Sequence, residues 1–501
     1  MERQHALSPA VLKGIRRGIE KESLRVRPDG ALAVTPHPAA LGSALTHHNI
    51  TTDFSEAQLE LITDPHASPE ACLEQLERIH QVVYRAIGED LLWCASMPCQ
   101  LPADHAIPIG RYGSSNIGRA KTVYRIGLAH RYGRRMQTIS GIHYNWSLAG
   151  ATSGDYFALI RNFRRHSWLV LYLFGASPAV CGSFVAGRDH ELQEFAPGTL
   201  YLPHATSLRM GRLGYQSDAQ AALAVSYNSL ESYAASLHEA LTRPYPAYEA
   251  IGIRNGDEYR QLATSLLQIE NEFYGSIRPK RTIRSGERPL HALRERGVEY
   301  VEVRLMDLDP FVPVGITAET MRFLDVFLLH CLLTESRPDT PDEIAAIKRN
   351  QQRAAARGRE PGLKLDRGTQ EVSLSDWGGQ LLAECEPLAA ALDAAHGGGT
   401  AYCDAVAAAV VALRAPDSTP SARVLDAIAR EHDKSYLRFV LALSRQHAHR
   451  LRDLPLPREV EAHFARLAEE SLAEQRRIDA ADTVPFETFR QRYLSPEQLN
   501  A

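Results

Sequence analysis

Four stretches of this chain alternate in the manner of β-strands, yet place polar groups where a strand's buried face is normally apolar. Over residues 18–26 (GIEKESLRV), alternation puts Glu20 and Glu22 on the same face. Over 52–63 (TDFSEAQLELIT), Asp53 opens the segment and Gln58, Glu60 and Ile62 share one side. Over 140–147 (SGIHYNWS), His143, Asn145 and Ser147 oppose Ile142, Tyr144 and Trp146. Over 298–305 (VEYVEVRL), Tyr300, Glu302 and Arg304 oppose Val301, Val303 and Leu305. If these polar faces line one cavity, several carboxylates meet one imidazole and one guanidinium. Unpaired, the acids would repel one another and some would be held protonated. Divalent cations resolve that repulsion. Magnesium takes hard oxygen ligands and completes its shell with substrate phosphates and water, which points to phosphoryl transfer from a metal-bound nucleotide; manganese would suit the added imidazole. The plainer alternative is that each segment is the solvated face of an edge strand and His143 a satisfied core histidine. Four such segments together favour a site.

The familiar nucleotide signals are absent. Gly113 and Gly118 have the spacing of a phosphate-binding loop, but Arg119-Ala-Lys-Thr122 follows where Lys-Ser/Thr should come at once, so a turn is expected there. No G-x-G-x-x-G follows a strand-like run. The basic run 277–281 (IRPKR), with Arg284 and Arg288 beyond it, could hold phosphates as point charges and forks; a solvated basic loop is an equally good reading.

The elements that must position these groups are those of an ordinary globular chain of 501 residues, 44% hydrophobic and 23% charged, with a formal net charge of −4. Length alone suggests about three domains, and the charge balance argues against a dedicated nucleic-acid binder. Residues 167–187 carry no formal charge, but Gly175-Ala-Ser-Pro178 reads as a turn between two buried elements rather than the middle of a membrane span. Residues 1–14 lack an apolar core, so no signal peptide is expected. The seven cysteines are scattered without a C-x-x-C; they predict neither a zinc knuckle nor a disulfide framework, make Cys94 and Cys99 core thiols, and fit a reducing cytoplasm. Up to about residue 330 strand-like and helical runs alternate; beyond it the texture is Ala-rich and helical. Thr340-Pro-Asp-Glu343 predicts an N-cap, a first-turn proline and a capping-box glutamate for a helix over 341–357. Another helix starts after Pro457 with Val460, Phe464 and Leu467 on one face, and Gly397–Gly399 and residues 416–418 separate the helices between.

Taken in order, residues 18–22 (GIEKE), 51–63, 141–145 (GIHYN), 172–178 (YLFGASP), 268–274 (QIENEFY) with 277–281, and 298–304 resemble the proteobacterial type of glutamate–cysteine ligase, over roughly residues 14 to 330 and more weakly through the helical tail. Between Trp146 and Tyr156 the chain is shorter than is usual in that family. The resemblance implies an α+β fold: a curved, mostly antiparallel, funnel-like sheet similar to the catalytic sheet of glutamine synthetase, with surrounding helices and a helical C-terminal part. Residues 1–335 would form the catalytic region and 336–501 helical additions packed on the same unit, as a cytoplasmic monomer.

The implied reaction joins the amino group of L-cysteine to the γ-carboxylate of L-glutamate through a γ-glutamyl phosphate made from ATP, the first step of glutathione synthesis. By the same resemblance, Glu20, Glu22, Asp53, Glu60, His143 and Glu302 would hold Mg²⁺. Arg304, assisted by Arg125, would contact the transferred phosphoryl group. Phe54, Tyr124, Leu128, Gln137, Tyr215 and Tyr274 would wall the cysteine pocket, with Arg209 on the cysteine carboxylate. No side chain stands out as the general base; a substrate phosphate oxygen and a metal-held carboxylate are the two choices. A related ligase with another amine acceptor and a metal-dependent regulatory binding protein without turnover are the competing readings.

Overall fold

The computed structural model describes residues 8–214, 218–221, 223–284 and 286–500. Its centre is an antiparallel sheet of seven strands: β1 (Arg16–Val26), β2 (Ile50–Thr52), β3 (Gln58–Ile62), β4 (Leu91–Leu92), β5 (Ile142–Ser147), β6 (Ile277–Lys280) and β7 (Tyr300–Met306). They lie in the order β6-β7-β5-β1-β3-β2, with β4 pairing the far end of β1. The four polar-faced segments of the sequence are thus β1, β3, β5 and β7, adjacent to one another in space. The basic run 277–281 is no solvated loop: it forms β6, paired with β7.

On one face of the sheet, Ile142, Tyr144 and Trp146 of β5 and Val301, Val303 and Leu305 of β7 are fully buried. Helix α3 (Ser153–Phe174) packs against β6 and β7, and α4 (Ala318–Leu333) packs on α3. The strand β1 departs from simple alternation, because its corresponding positions carry Arg17, Lys21 and Arg25 as well as Ile19, all buried. The uncharged stretch resolves as expected, with α3 ending at Gly175 and a short buried strand at Ala179–Cys181. Among the described residues no helix is long and apolar enough to cross a membrane.

The C-terminal third is helical apart from a hairpin formed by Lys364–Arg367 and Gln370–Ser373. Helix α5 spans Pro341–Arg357 as the sequence predicts, and the Thr340 side chain accepts from the Glu343 amide. The capping box is not completed, because the Glu343 carboxylate turns outward to Arg165 at 2.8 Å. Helices α6 (Leu374–Ala395) and α7 (Ala401–Arg414) cover α4. Helix α8 (Tyr436–Asp453) packs on α1 (Pro69–Ala86), and α9 (Arg458–Ala481) and α10 (Phe486–Tyr493) follow.

The cysteine expectation is corrected at one pair. Cys99 is joined to Cys181, 82 residues away, with Cα atoms 5.1 Å apart. Spacing could not show this, since a loop and a strand end meet only in the fold. Cys94 is a buried thiol, as expected. The scatter of cysteines therefore no longer speaks for a reducing compartment.

Candidate active site

Strand register brings the polar residues together. Across β1 and β3, Glu22 faces Glu60; across β1 and β5, Glu20 faces His143; across β7 and β5, Glu302 faces Asn145; and Arg278 of β6 faces Glu302. All share one face because side chains alternate with period two. All but Asn145 line a cavity of about 260 Å³ together with Asp53, Phe54, Tyr124, Arg125, Leu128, Gln137, Tyr274 and Arg304. The site residues anticipated from the sequence converge there with two exceptions. Tyr215 lies outside the described residues. Arg209 lies beside the cavity rather than in it: it is buried, donates to the Arg304 carbonyl at 2.8 Å, and lines an adjoining cavity that shares Tyr274 and Arg304. The Arg209 guanidinium packs against Gly141 so closely that a Cβ at this position would displace it.

The carboxylates are held by a graded set of partners. Glu20 accepts from Asn145 Nδ2 at 2.9 Å and meets His143 Nδ1 at 3.1 Å. Glu22 accepts from the Gly141 amide at 2.7 Å. Glu302 takes Lys280 Nζ at 3.1 Å on one oxygen and Arg304 at 3.0 Å on the other. Oxygen and nitrogen donors of Glu20, His143 and Glu302 lie within 4.8 Å of one another. Gln137 Nε2 donates to the Tyr274 hydroxyl at 2.9 Å. Between Val303 and Met306 the pairing of β7 with β5 shifts register, and Arg304 lies within that irregularity. Arg125 is tied down by the Asp53 carbonyl, by the Lys121 carbonyl at 3.0 Å, and by the Tyr112 ring at 4.4 Å.

Electrostatics separates the acids into two classes. Burial opposes ionisation of Glu302, but Lys280, Arg304, His143 and Arg278 outweigh it and hold the carboxyl well below its usual range. Glu20 also ends below its usual value, burial and Glu302 being overcome by the hydrogen bond from His143 and the charge of Lys280. Glu22 goes the other way: burial, then the Asp53 charge, push it up to about 8. Burial followed by Glu20, Asp53 and Glu22 raises Glu60 as well. Burial and then Arg304 push His143 down, leaving a neutral ring with a lone pair to offer. A buried pair of acids that cannot both ionise, beside a neutral imidazole and further carboxylate oxygens, fits a divalent cation.

Several lining residues escape sequence reasoning. Lys280 and Arg278 do not: they belong to the basic run that the sequence offers as a phosphate holder, although Pro279 conceals its strand character. Lys121 stands in the imperfect phosphate-loop pattern, where it lines the cavity from helix α2 (Asn116–Tyr132). That pattern is otherwise closed to phosphate, since the Ser115 and Asn116 amides donate to Asp479 and Asp482 of the C-terminal region. Tyr493 reaches the cavity from the end of α10, with Arg288 4.8 Å from its ring centroid, and nothing in the sequence signals it.

Comparison with known proteins agrees with this geometry. A family profile described as glutamate-cysteine ligase matches residues 3–354. The chain is 48% identical to glutamate–cysteine ligase of Alcanivorax borkumensis, over 98% of this chain and 99% of that one. It is 50% identical to the enzyme of that name from Pseudomonas entomophila, over 96% of this chain and 93% of the other. Among solved structures, glutamate–cysteine ligase from Francisella tularensis in complex with AMP superimposes with a TM-score of 0.91 at 37% identity, covering 96% of this chain and 97% of that one.

Proposed function

The chain belongs to the glutamate–cysteine ligase family, and from that premise we propose how its acid-lined cavity serves the reaction. The enzyme joins L-glutamate to L-cysteine at the expense of ATP, the first step of glutathione synthesis. ATP phosphorylates the γ-carboxylate of glutamate, and the cysteine amino group displaces phosphate from the γ-glutamyl phosphate. Negative charge builds on oxygens in both steps, so stabilisation must come from fixed cations.

Arg304 and Lys280 are those cations. Both are anchored on Glu302, which holds their heads in place before substrate arrives. Arg125 stiffens the loop that carries Asp53 through its bond to the Asp53 carbonyl. Glu20, Glu22, Asp53, Glu60, His143 and Glu302 would hold magnesium, with manganese also suited to the imidazole. Bound there, the ions would neutralise charge on the phosphoryl oxygens. Phe54, Tyr124, Leu128, Gln137 and Tyr274 wall the other side, where an apolar thiol side chain fits. Arg209, next to that wall, would meet the cysteine carboxylate.

The observation that carries this reading is the pairing of over-crowded acids, Glu22 and Glu60, with well-anchored cations, Arg304 and Lys280, in a single cavity. Phosphate release from Mg-ATP tests it. Release should require both glutamate and cysteine; release that ignores omission of either amino acid contradicts a ligase. We further propose that the sheet is curved as a funnel around this cavity. On this reading residues 1–335 form the catalytic region, residues 336–501 pack on it as part of the same unit, and the enzyme acts as a cytoplasmic monomer.

A further inference from the structure

A second cluster of metal-seeking side chains lies on the far side of α3 and takes no part in the reaction. His166 comes from α3, and His330 and Cys331 are consecutive residues of α4. One donor atom from each lies within 4.8 Å of the other two. His330 is 3% exposed and Cys331 not at all.

Two observations separate this cluster from ordinary core packing. His330 Nε2 meets a carboxylate oxygen of Glu384 at 2.8 Å, while its buried Nδ1 has no partner; His166 Nδ1 is likewise buried and unpartnered. Buried ring nitrogens are normally hydrogen-bonded, and two such orphans at one place ask for an acceptor of lone pairs. The carboxylate on the outer nitrogen of His330 is the arrangement by which metal-binding histidines are oriented, with the acid fixing the tautomer and the inner nitrogen left to ligate.

We propose that His166, His330 and Cys331 form a zinc-binding site joining α3 to α4, braced by Glu384 of α6. Two imidazoles and one sulfur are a zinc donor set, and bond lengths of about 2.0–2.3 Å call for only a small contraction of the cluster. The acid-lined cavity offers oxygen donors and one imidazole and suits a harder ion. A fourth position remains for water, reached from the edge where the Glu384 side chain is 56% exposed. Forming the metal–sulfur bond breaks the Cys331 S–H bond and releases its proton to buffer. An ion here would clamp α3, the helix lying against β6 and β7, to α4, with Glu384 of the C-terminal helical layer bracing the joint.

The test uses the full-length protein, stripped of metal and without substrates, titrated with Co²⁺ as the spectroscopic probe. The proposal expects sulfur-to-cobalt charge-transfer absorption, displaced by Zn²⁺ but not by excess Mg²⁺. Co²⁺ taken up in the acid-lined cavity gives no such band, because no cysteine lines it. Cys331→Ser should abolish the band and Glu302→Gln should leave it unchanged. No charge-transfer band, or one that survives in Cys331→Ser, overturns the site. If Cys331→Ser does not fold, Glu384→Gln, a change at an exposed side chain, decides. Loss of the brace should weaken apparent Co²⁺ affinity about 10–100-fold, and unchanged affinity overturns the proposal.

Discussion

The two faces of one strand pair handle buried charge in opposite ways. On the packed face of β1 and β5, Arg17 meets Asp325 of α4 at 3.0 Å with both side chains fully buried, and the Tyr144 hydroxyl donates to Asp325 at 2.8 Å. One cation, one anion and one hydroxyl close on themselves. On the cavity face, five carboxylates (Glu20, Glu22, Asp53, Glu60 and Glu302) share the lining with five cations (Lys121, Arg125, Arg278, Lys280 and Arg304). The numbers match but the positions do not. Two of the cations converge on Glu302 and Arg125 is spent on backbone carbonyls, while Glu22 and Glu60 oppose one another across the strands. The packed face is closed to solvent, whereas on the cavity face the Glu20, Arg304 and Lys280 side chains are 17%, 23% and 29% exposed. What distinguishes a site from a structural ion pair here is charge left without a local answer, and it is the residual charge that a metal and a phosphoryl group can use.

The sharpest way to break this comparison is to remove one partner on each face. Asp325→Ala leaves Arg17 buried and uncompensated, and should cost about 3–5 kcal/mol of stability, read by denaturant unfolding, with turnover per folded molecule unchanged. Glu302→Gln keeps shape but removes the anchor of Lys280 and Arg304 together with a proposed metal ligand. Its kcat should fall about 10²–10³-fold with the unfolding midpoint nearly preserved. Near-wild-type turnover in Glu302→Gln would take Glu302 out of the metal site, and a stability loss like that of Asp325→Ala would make the two faces alike.

This contrast also shows what the sequence could and could not reveal. Alternation in residues 18–26, 140–147 and 298–305 was enough to put Glu20, Glu22, His143, Glu302 and Arg304 on polar faces, because strand periodicity is local. Their convergence depends on strand order, which pairs β7 with β5 across more than 150 residues of chain and has no local signature. The same limit hides Tyr493, which enters the cavity from the last helix, and the Cys99–Cys181 pairing. It also hides His166, which meets His330 and Cys331 only because α3 and α4 pack together. Helix α5 was legible to the residue because cap, proline and periodicity are all contiguous in sequence. The Glu343 side chain was not, since a tertiary partner, Arg165, outbids a local amide.

A metal-dependent pH profile separates the faces next. The folded protein holds Glu22 at about 8, so it keeps a proton that an unfolded glutamate gives up near its ordinary value of about 4.5. For the metal-free enzyme this contribution to stability is complete below about pH 4.5 and drains away as pH rises towards 8. Glu60, also raised, acts in the same direction. His37 and His47, held near 4 mainly by burial, act oppositely: their contribution is present above about pH 6.5 and is lost as pH falls through 4. The difference between thermal midpoints with Mg²⁺ and with EDTA cancels the histidines and leaves the cavity. That difference should widen steadily from pH 5 to pH 8 in the wild type and flatten in Glu22→Gln; an unchanging difference would mean that the opposed acids do not bind the ion.

The smallest effects expected come from two hydroxyls, one on each face. Tyr144→Phe removes a hydrogen bond to the Asp325 carboxylate, which is worth about 1.5–3 kcal/mol because the acceptor is charged; it should appear as lost stability, with KM for every substrate unchanged. Tyr274→Phe removes the hydroxyl that accepts from Gln137 on the wall of the proposed cysteine pocket. A neutral hydrogen bond is worth about 0.5–1.5 kcal/mol, so KM for cysteine should rise roughly 2–10-fold while KM for ATP stays within error. If both KM values rise together, Tyr274 shapes the whole cavity rather than the acceptor pocket. If instead Tyr274→Phe lowers the unfolding midpoint as much as Tyr144→Phe does, the aromatic wall belongs with the closed face of the sheet, and the division between packed and reactive charge must be redrawn through the cavity itself.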